Sequence, residues 1–221
     1  MSNKLPKRPL LEEYYFRFLR TEDSAGFIEG VASHYNLQSL VTLAQSGSRM
    51  GRRGAVLAIG FLGSFSQNDT LGKALNDSDR GVRMLSDHGI RQLWLRIGNS
   101  GLETGLRRVI RLNRLHRFAS AIDLADELIA IAPGFAESWN QRAIAACQLD
   151  DYQQAINDCQ KTLELNPWHF LAALGAANCN LELDRIQPAL EGYRLALTIN
   201  PDLDTVRSQI DYLARIAEDR S

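Results

Sequence analysis

The densest run of charge in the chain is RRVIRLNRLHR, Arg107 to Arg117. Arg107, Arg111 and Arg114 step by four and three, which puts them on one face of a helix. Guanidinium groups set out in this way suit carboxylates, which they grip through paired N–H donors. The amides Asn140, Gln141 and Asn178 each offer a donor and an acceptor, the pair of functions that an extended peptide backbone needs. The residues that catalysis or metal binding would need are scattered. His34, His88, His116 and His169 have no second histidine or cysteine at helical ligand spacing, and no HExxH occurs. Cys147, Cys159 and Cys179 form no CxxC pair, and their odd number argues against a disulfide framework; they read as small buried hydrophobes. The glycine-rich stretch Ser46 to Gly54 lacks the GxxxxGK[ST] order of a P-loop and follows a helix rather than a strand, so it reads as an inter-helix turn. No G-x-S-x-G is present. The expectation is a chain that binds rather than reacts, with no catalytic residue, no metal and no cofactor.

The elements that must position these residues announce themselves by period. Pro133, Pro167 and Pro201 are evenly spaced, and each closes a stretch of the same layout. Between Ala136 and His169, Trp139 and Ala143 share one face of a first helix. Ala155, Cys159 and Thr162 form the inward stripe of a second, which Asn166-Pro167 stops, because the residue before a proline is driven out of the α region. Ala177, Ala189, Tyr193, Ala196 and Asn200-Pro201 repeat this one period later. Leu115, Ala121, Ala125, Leu128 and Pro133 repeat it one period earlier, with Gly105 in the place of Trp139. After Pro201 the spacing of Leu203, Val206, Ile210, Leu213 and Ile216 predicts an amphipathic capping helix.

These residues resemble the tetratricopeptide repeat (TPR), a helical hairpin of about 34 residues that stacks into a solenoid, and the prolines recur at that same interval. The resemblance covers residues 102–203 as three units, 102–135, 136–169 and 170–203, with a capping helix over 204–221. It implies a protein-binding scaffold in which the first helix of each unit lines a concave groove. On that basis Arg107, Arg111, Arg114, Asn140, Gln141 and Asn178 are the candidate groove residues for a peptide or protein segment. The set of basic residues and asparagines by which some TPR domains clamp a terminal carboxylate is broken here, since its counterparts include Leu106, Ile110, Leu171 and Gly175.

A second, slightly shorter period relates Arg52, Ala55, Ala58, Ile59 and Leu62 to Arg83, Ser86, Gly89, Ile90 and Leu93. With Asp79 placed to cap the helix that opens at Val82-Arg83, residues 36–98 resemble short HEAT-like repeats, behind a helical cap over 1–35. The order of parts is similar to that of bacterial proteins with HEAT-like pairs ahead of TPRs. Gly98 to Gly101 reads as the break between the arrays. The whole is expected to be all-α, a right-handed α-solenoid of helical hairpins.

Net charge over the 221 residues is −1, but residues 1–117 carry 18 Lys/Arg against 10 Asp/Glu and residues 118–221 carry 7 against 16. The basic half leaves a second reading open, polyanion or nucleic-acid binding through the HEAT-like part. The first residues lack the apolar core of a signal peptide, and the longest apolar run, Ala55 to Gly63, is far short of the ~20 residues that span a bilayer. The expected partner is therefore a protein rather than a membrane, met in the cytoplasm.

Overall fold

The computed structural model describes residues 9–219; residues 1–8 of the expected N-terminal cap and 220–221 of the expected C-terminal helix lie outside the described part. Among the described residues every regular element is helical, and no helix is long and apolar enough to cross a membrane. The chain divides into two compact units at Leu93/Trp94. That boundary precedes the Gly98 to Gly101 break, because Leu95 and Ile97 pack against the first core cluster of the second unit.

Unit 1 holds α1 (Leu10–Thr21), α2 (Ser24–Ala32), α3 (Leu37–Ser46), α4 (Arg49–Leu62), a 3₁₀ turn (Phe65–Gln67), α5 (Asn68–Ala74) and α6 (Arg80–Leu93). α4 and α6 are each 14 residues long, and the offset between their first residues, Arg49 and Arg80, is the shorter period read from the sequence. α4 is the centre: α1, α2, α3, α5 and α6 all touch it, and Gly51 and all seven residues from Gly54 to Gly60 are buried. A helix so placed must be apolar on nearly all sides. It crosses α6 at Gly60 and Gly89, where a Cβ built on Gly89 would lie 3.2 Å from the Gly60 Cα and 3.0 Å from Leu71 Cδ1. Caps are local: Asn36, Ser48 and Asp79 each accept a backbone N–H of the helix that follows.

Unit 2 is an α-solenoid of helical hairpins: α7 (Ser100–Arg114), α8 (Phe118–Ile131), α9 (Ala136–Gln148), α10 (Tyr152–Leu165), α11 (Phe170–Glu182), α12 (Ile186–Ile199) and α13 (Asp204–Asp219). α8, α10 and α12 start one proline period apart and end one period apart, each two residues before a proline. The turns inside the hairpins are also copies. His116, Asp150 and Asp184 have φ of 55°, 62° and 54°, and they are flanked by the same pair of backbone bonds, such as Asp150 N–H to Cys147 O and Asp151 N–H to Ala146 O. That pair of bonds is the Schellman closure of a helix end. The stripe read from the sequence is the core: Ala121, Ala155 and Ala189 are fully buried, as are Ala125, Cys159 and Tyr193 to within 3%. At the stops, Asn166 and Asn200 each accept the N–H two residues on (3.2 Å), which closes the turn through proline.

Arginines tie the layers together. In unit 1, Arg52 grips Asp77 through two bonds of 2.8 Å and Arg53 grips Asp79 through bonds of 2.6 and 2.9 Å. In unit 2, Arg142 of α9 binds Asp158 of α10 through two bonds (2.8 and 2.7 Å) and also bonds Asp126 of α8. Its guanidinium lies 4.9 Å from the Trp139 ring centre.

Candidate functional site

The helical register brings one face of α9 and one face of α11 to the two sides of a concavity of about 350 Å³. Its walls are mostly apolar: Ala143, Ile144 and Cys147 from α9, Cys159 from α10, and Leu171 and Cys179 from α11. Asn178 and Gln148 stand among them with Glu137, Asn140 and Gln141. Ile144 is the most exposed of the apolar wall residues, at 41%.

Three of the six candidate residues, Asn140, Gln141 and Asn178, line this concavity; Arg107, Arg111 and Arg114 of α7 do not. The amides differ in availability. Asn140 is 5% exposed, and its Nδ2 donates to Glu137 Oε1 at 2.9 Å. Gln141 donates to the same oxygen at 2.8 Å and accepts from Asn113 Nδ2 of α7 at 3.0 Å. Both side chains therefore hold Glu137 rather than offer themselves to a ligand. Asn178 is exposed, and its Oδ1 accepts from Tyr193 Oη at 2.5 Å, which ties the amide to α12. Tyr193 in turn accepts from Gln209 of α13 at 3.0 Å. The three arginines are exposed; Arg107 donates to Thr104 Oγ1 at 2.8 Å.

A pair absent from the sequence reading sits under the polar end. His169 caps α11: its Nδ1 accepts the Ala172 N–H at 3.0 Å, so the ring proton is on Nε2, which donates to Glu137 Oε2 at 2.9 Å. His169 is fully buried and Glu137 is 5% exposed. Trp94 stacks on the imidazole with ring centres 3.9 Å apart. The carboxylate thus takes three donors, from Asn140, Gln141 and His169, the compensation that a buried charge requires. This cluster joins α7, α9 and the start of α11. The repeat register does not announce it, since Glu137 stands one period before Leu171 and not before His169.

The cysteines converge on the same place. Cys147 is half-buried, while Cys159 and Cys179 are at most 3% exposed, and all three line the concavity. Burial pushes the Cys179 thiol up to about 12 and raises Cys159 as well. No group of three His, Cys, Asp or Glu among the described residues is arranged to hold a metal ion.

Residues 136–169 match the family model of the tetratricopeptide repeat. A TPR repeat-containing protein of Rhizobium etli is 28% identical over 142 residues, 64% of this chain and 69% of that protein. Sperm-associated antigen 1 of Mus musculus is 31% identical over 78 residues, 35% of this chain and 9% of that protein. Among solved structures, the TPR2B domain of yeast Sti1 in complex with pHsp70 aligns with a TM-score of 0.49 at 23% identity, covering 56% of this chain and 100% of that one. The family match falls on α9 and α10, the helices before and after them keep the same frame, and the chain carries tetratricopeptide repeats.

Proposed function

We propose that this chain is a non-catalytic scaffold and that the concavity between α9 and α11 holds an extended segment of a partner protein. The observation that supports it is the combination in one concavity of an apolar wall, Ile144, Leu171 and Cys147, with an exposed amide at Asn178. The wall offers burial to a side chain, and the amide offers a donor to the backbone beside it. Arg107 and Arg114 occupy on α7 the register that Gln141 and Gln148 occupy on α9, so they extend the binding face toward acidic residues of the same segment. We further read α4 and α6 as the second helices of two short HEAT-like repeats, on the strength of their matching length, their periodic spacing and the Asp79 cap.

Polyanion binding loses its central residues, because Arg52 and Arg53 are each held by a carboxylate within unit 1 and Arg83 donates to the Asp77 carbonyl.

The test is selection of binders from a random-peptide display library on the full chain. Sequences that share an apolar position are expected to enrich. Ile144→Arg and Asn178→Ala should abolish or weaken their binding while helical circular dichroism stays unchanged. An enriched set indifferent to both substitutions would place recognition elsewhere.

A further inference from the structure

We propose that Cys147 and Cys179 form a reversible intramolecular disulfide when the protein meets a hydroperoxide, so that the wall of the α9–α11 concavity is an oxidation site. The carrying observation is convergence. The chain has three cysteines, on α9, α10 and α11, at three different positions of the repeat frame, and all three line this one concavity. Packing alone does not call for sulfur at these places: one period before Cys159 stands Ala125, and one period before Cys179 stands Ala145. α9 and α11 touch directly, Cys147 and Cys179 stand on the facing walls that these two helices give the concavity, and Cys147 is among the groups that raise the Cys179 thiol.

Exposure assigns the order of events. Cys147 is the half-buried sulfur, and hydrogen peroxide is small enough to enter a concavity of about 350 Å³. The Cys147 thiolate attacks one peroxide oxygen. An S–O bond forms, the O–O bond breaks, and the leaving hydroxide takes a proton to become water. Cys147 is now a sulfenic acid, oxidised by two electrons. Cys179 then attacks the Cys147 sulfur; the S–S bond forms, the S–O bond breaks, and the hydroxyl leaves as water with the proton from the Cys179 thiol. Two thiols and one peroxide give one disulfide and two waters. Burial holds Cys179 as a thiol until that second step and makes the step slow. The product fastens α9 to α11 in the same wall as Ile144 and Asn178.

The test uses the reduced full chain treated with hydrogen peroxide, then digested without reductant by trypsin and an Asp-specific protease, whose combined cuts separate Cys147 from Cys159. Mass spectrometry should find a Cys147–Cys179 peptide pair two hydrogens lighter than its parts, released by dithiothreitol. The pair should vanish in Cys147→Ser and Cys179→Ala and persist in Cys159→Ala. The oxidised wild type should unfold at higher denaturant than the reduced one, a difference that dithiothreitol removes. A Cys147–Cys159 pair, a dimer linked through Cys147, or Cys147 sulfinic acid as the main product would each overturn the proposal. If Cys179→Ala fails to fold, the wild-type map decides alone.

Discussion

Asp79 does two things with one carboxylate: Oδ1 caps α6 at the Val82 N–H (3.0 Å), and both oxygens receive Arg53. The Arg53 guanidinium, helped by the capped N–H, holds this carboxyl well below the usual carboxylate range, at about 2. A depressed folded-state value means that the stabilisation is present in full above pH ~4, where the unfolded carboxyl is also ionised, and is lost as pH falls from ~4 toward 2. After allowance for solvent that still reaches the pair, it amounts to about 1–2 kcal/mol. Urea midpoints measured from pH 6 down to pH 2.5 should fall less steeply in Asp79→Asn than in the wild type, with the variant already weaker at pH 6. Equal slopes would mean that the pair contributes nothing. At Glu137 the argument concerns acceptors. Glu137→Gln turns one oxygen into a donor that faces either the His169 N–H or the two amides, and a buried donor against a donor costs about 2–3 kcal/mol. Chemical denaturation of that variant should show a loss of this size; a neutral result would mean that the carboxylate is not the hub described.

At the scale of elements, two kinds of position bear weight. Where α4 crosses α6, Gly89→Ala puts a methyl 3.0 Å from Leu71 Cδ1 and 3.2 Å from the backbone of Gly60, an overpacking that costs about 1–3 kcal/mol. Gly134→Ala, with nothing within 4 Å of its Cβ, is the neutral control in the same thermal melts. In the hairpin turns, Asp184 holds φ 54°, so Asp184→Ala should be less stable than Asp184→Gly by about 1 kcal/mol, since both lose the same side chain and only glycine suits that backbone. If the two melt alike, backbone conformation does not set the cost of that turn. Helix ends in unit 2 were legible in the sequence because prolines, asparagines and small residues act within a few residues of where they stand. The stripe of Ala155, Cys159 and Thr162 was legible for the same reason. The role of Asn140 and Gln141 was not. Their partner Glu137 is one turn away and looks like an ordinary surface acid until His169, from the start of the next hairpin, meets its second oxygen. Periodicity reports which face a residue occupies; it does not report which polar groups meet across that face.

At the scale of the whole molecule, each unit is organised in its own way: α4 anchors one, and the other is a row of small clusters handed from hairpin to hairpin. In such a row each hairpin is stabilised by its neighbours, and a defect should spread only as far as the next contact. α13 closes the row: Val206 and Leu213 are buried against Ala189, Leu190 and Tyr193, while Tyr212 on its outer side is 59% exposed. Leu213→Ala removes a side chain that is 2% exposed, a local loss of about 2–4 kcal/mol. Because α13 packs chiefly on α12 among the described residues, that loss is expected to appear as fraying. Hydrogen exchange should accelerate through α13 and α12, fade along α11, and leave α7 to α9 as protected as in the wild type. Leu106→Ala, in the first cluster of the same unit, should mirror this from the other end. The concavity lies between these ends, on α9 and α11, where each helix is flanked on both sides. Binding there should therefore survive Leu213→Ala at temperatures at which α13 already exchanges freely. Uniform acceleration across all of unit 2 in either variant would show that the row melts as a single cooperative block, and the stability of the binding face would then depend on its ends.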